Sequence, residues 1–105
     1  MGLGIYALTV HDLLSIRNSM ARLLSIGFSF FQEDHYTLIR VIEKPTQTEY
    51  HVTVLNHELD QLLYGNNVFV AKDGSIHLDR TSHNKAQEIL RMQIAEAISD
   101  HLKVF

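Results

Sequence analysis

The sequence of 105 residues has no cysteine, no tryptophan and a single proline, Pro45. Without cysteine, the chain cannot form disulfides, cysteine-based zinc sites, iron–sulfur centres or a thiol nucleophile. Hydrophobic residues make up 46% of the chain, which is too large a fraction for a disordered tail. Because single domains commonly hold roughly 100–150 residues, the sequence predicts one globular domain over residues 1–105.

Targeting and membrane signals are also missing from the sequence. Residues 2–8 are apolar but lack the basic region that begins a signal peptide. No apolar run approaches the ~20 residues that a membrane-spanning helix needs. We therefore expect a cytoplasmic protein that does not bind a membrane.

The charge distribution argues against a nucleic acid as partner. Nine Lys and Arg residues stand against twelve Asp and Glu residues, giving a net charge of −3. The basic residues are scattered singly, whereas phosphate binding requires a basic face. Such a face would need four distant residues to converge, namely Arg17, Arg22, Arg91 and Lys103.

The first third of the chain predicts a long helix over residues 9–27. The sequence from Thr9 to Asp12 fits a capping box, and Gly27 is a typical residue for ending a helix. Residues 3–8 are a weaker candidate for a strand, and residues 28–31 fit either a strand or an aromatic loop. The apolar positions of the helix are Leu13, Ile16, Met20, Leu23 and Leu24.

Two segments with alternating hydrophobicity, residues 36–43 and 49–55, predict a β-hairpin around the turn at residues 44–47. Antiparallel pairing gives one nearly apolar face and one mixed face, as in a sheet that contacts water on one side. The predicted pairs are Val41 with Tyr50, Ile39 with Val52 and Thr37 with Val54 on the first face, and Ile42 with Glu49, Arg40 with His51 and Leu38 with Thr53 on the second.

Further elements complete the predicted order. Asn56 can cap a short helix over residues 57–64 that stops at Gly65. Asp73 and Gly74 favour a type I′ turn between strands at 68–72 and 75–79. A last helix over about 83–103 is predicted, with Thr81 or Ser82 as its N-terminal cap. It buries an apolar stripe, which Ile89 and Met92 widen. Its central positions are Ala86, Leu90, Ile94, Ala97, Ile98, His101 and Leu102.

Together these elements predict an α+β fold. It has an antiparallel sheet of four to five strands in two hairpins, two long helices on one face, and one short helix between the hairpins. Hairpin-connected strands argue against a doubly wound parallel sheet.

Histidine is the most conspicuous residue type, with seven copies. Neutral imidazoles bind metals, but no two histidines have the i, i+4 spacing of a helical metal pair. Residues 57–61 miss the zinc-protease pattern, because Gln61 occupies the second histidine position. The weak metal candidates are the pairs that flank strand-to-helix junctions: His51, His57, His77 and His83.

Motifs for nucleophilic catalysis, phosphate binding or a cofactor are lacking, so we expect no cofactor and favour a protein without enzymatic activity. The alternative is a small histidine-based metal- or ligand-binding protein or enzyme.

Two features suggest protein binding instead. If residues 28–31 are extended, Phe30 and Phe31 point to opposite faces, so one reaches the core and the other must find a second layer, a partner or water. The alternative is that both pack, one under the first helix and one against the last. The mixed sheet face is too apolar for water and too polar for a plain core, which favours self-association. The sequence thus predicts a protein-interaction or regulatory module, with a homodimer favoured, whose interaction surface comprises Phe30, Phe31, Tyr36, Leu38, Arg40, Ile42 and His51.

Overall fold

A computed structural model describes residues 22–78 and 84–103 of this chain. These residues form a five-stranded antiparallel sheet, curled like half a barrel, with one short and one long helix. In chain order the elements are β1 (Arg22–Phe30), β2 (Glu33–Glu43), β3 (Thr48–Val54), α1 (His57–Leu62), β4 (Val68–Lys72), β5 (Ser75–His77) and α2 (Lys85–Lys103).

The strands lie side by side in chain order, so every described neighbour in the sheet is also a neighbour in sequence. The predicted register of β2 against β3 is confirmed at all six pairs. Across the next turn, β4 pairs with β5, with Val70 opposite His77 and Ala71 opposite Ile76. Asp73 and Gly74 both have positive φ, at 53° and 80°, as a type I′ turn requires.

The helix predicted over residues 9–27 is wrong where the structure describes it, because residues 22–27 belong to β1. The part over residues 9–21 lies outside the described residues. Leu23 and Leu24 fit helical spacing, but inward side chains recur at every second residue from Leu24 to Phe30, and this period is that of a strand. Gly27 does not cap a helix; the Tyr36 ring lies over it, 3.2 Å from the position of a Cβ.

Two long helices on one face are therefore wrong as well. One long helix, α2, packs on the concave inner face of the sheet and contacts both edge strands, β1 and β5. Because the sheet curls around it, this one helix reaches both edges. The inner face and α2 share a hydrophobic core that includes Ile39, Val52, Phe69, Leu90 and Ile98.

Both helices begin at asparagine caps. The Asn56 side chain accepts a hydrogen bond from the Leu59 N–H at 3.0 Å, which confirms the predicted cap of α1. Asn84 accepts from the Gln87 N–H at 3.2 Å at the start of α2. Thr81 and Ser82, the predicted caps of the last helix, lie outside the described residues.

The buried stripe of α2 differs from the prediction at four positions, since Met92 is exposed and Gln87, Arg91 and Ala95 are buried. Met92 is 60% exposed, whereas Arg91 is 8% exposed. Arg91 is accommodated because its guanidinium lies 5.1 Å from the Phe69 ring centre and its Nε donates to the Asn66 carbonyl at 3.2 Å. Gln87 is buried beside it and donates to the Leu62 carbonyl at 2.7 Å. These bonds connect α2 to the end of α1 and to the loop that follows it.

Candidate functional site

The outer face of the sheet, opposite α2, carries the surface that the sequence predicted for protein binding. Cross-strand register aligns Leu23 of β1, Arg40 of β2, His51 of β3 and Val68 of β4 in one row across four strands. A second row pairs Ser25, Leu38 and Thr53. Because the pairing is continuous, residues far apart in the sequence share one face.

Apolar side chains on this face are exposed to an unusual degree. The most exposed are Leu23 at 66%, Leu55 at 62%, Tyr36 at 58%, Leu38 at 45% and Val68 at 37%. Contiguous exposed apolar residues of this kind mark interaction sites on proteins. Among the predicted interaction residues, Ile42 and His51 are half-buried on the same face.

Arg40 stands in the middle of the outer face. It is exposed, and among the described residues it makes neither an ion pair nor a hydrogen bond. A depression of about 300 Å³ surrounds it, lined by Leu23, Leu38, Arg40, His51, Thr53 and Asn67. A guanidinium beside two leucines is suited to a carboxylate carried on an apolar surface, because the carboxylate can accept from Arg40 while its apolar neighbours contact Leu23 and Leu38.

Glu49 binds Lys44 and the ring of His51, the residue opposite Arg40. Its carboxylate accepts from Lys44 Nζ at 2.8 Å and lies 2.9 Å from His51 Nε2. The hydrogen bond from Lys44, followed by that of His51, holds the pKa of Glu49 at about 2, below its ordinary value of 4.5. His51 is therefore oriented by Glu49, while Arg40 keeps an available charge.

The two phenylalanines of the predicted interaction surface differ in exposure. Phe30 is 8% exposed and belongs to the core, so its side chain is not part of an accessible surface. Phe31 is 69% exposed and packs edge-on against Phe30, with ring centres 4.6 Å apart. Phe31 and Gln32 form the β1–β2 turn, and both have positive φ. The accessible aromatic at this end of the sheet is thus Phe31.

The histidine candidates are not gathered into a metal centre by the described part of the chain. No group of three or more His, Asp or Glu side chains within residues 22–78 and 84–103 could hold a metal ion. His51 is bound to Glu49, His57 begins α1 and is exposed, and His77 lies on the short strand β5. His83 lies outside the described residues.

Pockets and shifted pKa values give little support to catalysis. A depression of about 390 Å³ is lined by Asp60, Gln61, Tyr64, Gly65 and Asn67. Asp60 has a structural partner there, since it accepts from the Val54 N–H at 3.0 Å. Burial raises the pKa of Tyr50, but this residue is 3% exposed and lies in the core. The pKa of Glu49 is lowered first by Lys44 and then by His51, and the hydrogen bond from Gln47 adds to the effect.

The basic residues that a nucleic-acid site requires do not converge where the structure describes them. Arg22 pairs with Glu43 of β2 at 3.2 Å, while Arg91 of α2 is buried with its guanidinium over the Phe69 ring. Arg17 lies outside the described residues. In the described chain no helix is both long and apolar enough to cross a membrane.

Sequence reasoning missed Leu23 and Val68 as members of the outer face. Helical spacing predicted a helix at Leu23, although the alternation of apolar and small residues from Leu24 to Phe30 indicates a strand. Val68 joins the face only through the register of β4 against β3. Comparisons of the chain with protein-family models, with curated proteins and with solved structures gave no significant match, so the function is argued from this surface alone.

Proposed function

We propose that this protein is a non-enzymatic interaction module that binds another protein through the outer face of its sheet and also forms a homodimer. The observation that carries the proposal is the cluster of exposed apolar side chains around Arg40, a charge without a partner in the described part of the chain. We keep the cytoplasmic location as a prediction.

The chemistry of the face specifies its partner. Tyr and Arg are the residue types that most often dominate binding energy at protein interfaces, and both occur here, as Tyr36 and Arg40. Leu23 and Leu38 offer apolar contact on either side of the guanidinium. The partner is therefore a protein segment that presents one carboxylate flanked by apolar side chains.

The stiffness of the face favours binding at low entropic cost. Leu38 and Arg40 lie on β2, which is paired on both sides, and Leu23 lies on β1, which is paired on one side. Tyr36 is further held by its contact with Gly27, where a larger residue would displace the ring. A preorganised surface loses little conformational entropy when a partner binds.

The test uses a phage-displayed library of random peptides selected on the wild-type protein. We expect the enriched peptides to carry Asp or Glu between apolar residues. Leu38→Glu should weaken their binding by at least about tenfold, because a carboxylate then replaces apolar contact and repels the acidic ligand. Arg40→Gln should weaken it as well, by removing the ion pair.

Met92→Glu is the matched control, because it places the same charge on an exposed apolar position of α2, away from the outer face. Its binding should equal that of the wild type. Selection of peptides without acidic residues, or equal binding by the Leu38→Glu variant, would show that this face is not the binding surface.

A further inference from the structure

The two edges of the described sheet differ in length and protection. The β5 edge has three residues, whereas the β1 edge has nine. Within the described chain, nothing pairs with the outer side of β1. A long unpaired strand is a template for another strand, because its outward N–H and C=O groups lack partners.

The register identifies which backbone groups face outward. Leu55 N–H donates to the Tyr36 carbonyl at 2.9 Å, so the backbone of Tyr36 points to β3. The next residue, Thr37, consequently points to β1, where it is opposite Ile26. Successive residues of a strand direct their N–H and C=O to opposite sides. The groups that face away from the sheet are therefore those of Leu23, Ser25, Gly27 and Ser29.

Natural edges are usually blunted by charged residues, prolines, bulges or short length. β1 has none of these over most of its span, since no charged residue or proline occurs from Leu23 to Gln32. Its register with β2 is unbroken over nine residues. On the outer face of β1, Ser25 and Ser29 have small side chains and Gly27 has none. A neighbouring strand therefore meets no steric obstacle at these positions.

We infer that β1 pairs antiparallel with β1 of a second copy of this chain, joining the two five-stranded sheets into one continuous sheet. This inference rests on the homodimer of the proposed function and places the dimer interface at the β1 edge. Full overlap of the two strands centres the pairing on Ile26. Ser25 then faces Gly27 of the other copy, Leu23 faces Ser29, and each outward residue gains both its donor and its acceptor partner.

The composition of β1 favours a second copy as the occupant. Arg22 is the only basic residue of the strand, and antiparallel pairing places the two copies of it at opposite ends, about 27 Å apart. On the inner face, Leu24, Ile26 and Phe28 of each copy meet apolar side chains of the other. The contact is thus self-complementary, as two-fold symmetry requires.

The test compares Ser25→Pro with Ser25→Ala by sedimentation velocity over a range of concentrations. Proline deletes an outward N–H and is tolerated at an edge whose N–H faces solvent. The change occurs twice in a symmetric dimer, so we expect dimerisation to weaken about a hundredfold. Ser25→Ala keeps the N–H and should dimerise like the wild type.

Amide hydrogen exchange supplies a second measurement that does not depend on variants. In the wild type, the amides of Leu23, Ser25, Gly27 and Ser29 should become protected as the concentration rises and the dimer forms. A wild type that stays monomeric, or a dimer that survives Ser25→Pro with these amides unprotected, would overturn the inference. Concentration-independent protection in a monomer would also overturn it, since the edge would then be covered within one chain.

Failure of this inference is distinguishable from failure of the proposed function. Peptide binding depends on Leu38 and Arg40, whereas edge pairing depends on the outward backbone of Ser25 and Gly27. If the dimer survives Ser25→Pro while Leu38→Glu abolishes peptide binding, only the assignment of the dimer to the β1 edge is wrong. If Ser25→Pro weakens the dimer while Leu38→Glu leaves peptide binding unchanged, only the assignment of peptide binding to the outer face is wrong.

Discussion

The β1–β2 turn contains two residues in a conformation that neither of them favours, and replacing one should stabilise the protein. Phe31 and Gln32 connect the paired residues Phe30 and Glu33, and their φ values are 50° and 67°. A side chain with a Cβ in the left-handed region costs roughly 1–2 kcal/mol. Glycine has no such cost, although it raises the entropy of the unfolded chain by about 0.5–1 kcal/mol.

Gln32→Gly should therefore increase the free energy of unfolding by about 0.5–1 kcal/mol. Gln32 is the better position to change, because the Phe31 ring packs on Phe30 and its removal would offset the relief of strain. For a domain of this size, the gain corresponds to a rise in Tm of about 2–6 °C. Thermal unfolding followed by circular dichroism measures it.

Thr53→Gly is the matched control. Thr53 lies on β3, exposed and in ordinary strand conformation, so the same glycine should there lower stability by about 0.5–1 kcal/mol. If Gln32→Gly left Tm unchanged or lowered it like the control, the turn would carry no strain and the reasoning from φ would be wrong.

Substitutions at three other residues test the core, the α1 junction and the Glu49 ion pair. Phe30→Ala should cost about 3–5 kcal/mol in urea unfolding because the ring is buried; a cost below about 1 kcal/mol would contradict its place in the core. Asp60→Ala leaves the buried Val54 N–H without its acceptor and should cost about 1–3 kcal/mol, whereas Asp60→Asn, which keeps an oxygen, should cost less. The pKa of Glu49 is lowered on folding, so its stabilisation is present above pH 4.5 and is lost as pH falls towards 2. Glu49→Gln should accordingly have a lower Tm than the wild type at pH 7, with the difference vanishing near pH 2; a difference that persisted there would exclude the Lys44 bond as its cause.

The central hairpin could be predicted from sequence because its determinants are local. Alternation along β2 and β3 and the turn that contains Pro45 fix the register, and a slip of one residue would expose Ile39 and Val52. Tyr36, Leu38 and Arg40 were consequently assigned to the correct face. The N-terminal cap of the short helix, Asn56, could be predicted for the same reason.

β1 was not predicted because its first residues fit two periods. Leu23, Leu24 and Gly27 fit the last turn of a helix, whereas the alternation from Leu24 to Phe30 fits a strand, and the pairing with β2 shows that the strand forms. The residue types at positions 31 and 32, Phe and Gln, do not indicate the positive φ values that both residues have. The rows of the outer face depend on register between strands, which is a non-local property.

The position of α2 has a consequence for the order in which the protein can be assembled. This helix contacts both edges of the sheet, yet it follows all five strands along the chain. During synthesis the strands leave the ribosome before the helix that fills their concave face. Until then the inner side chains of β1 and the uncharged span from Leu23 to Gln32 are both open to other chains. The nascent sheet is thus the aggregation-prone stage, and a chaperone that shields it until Leu90 and Ile98 emerge would raise the yield of folded protein.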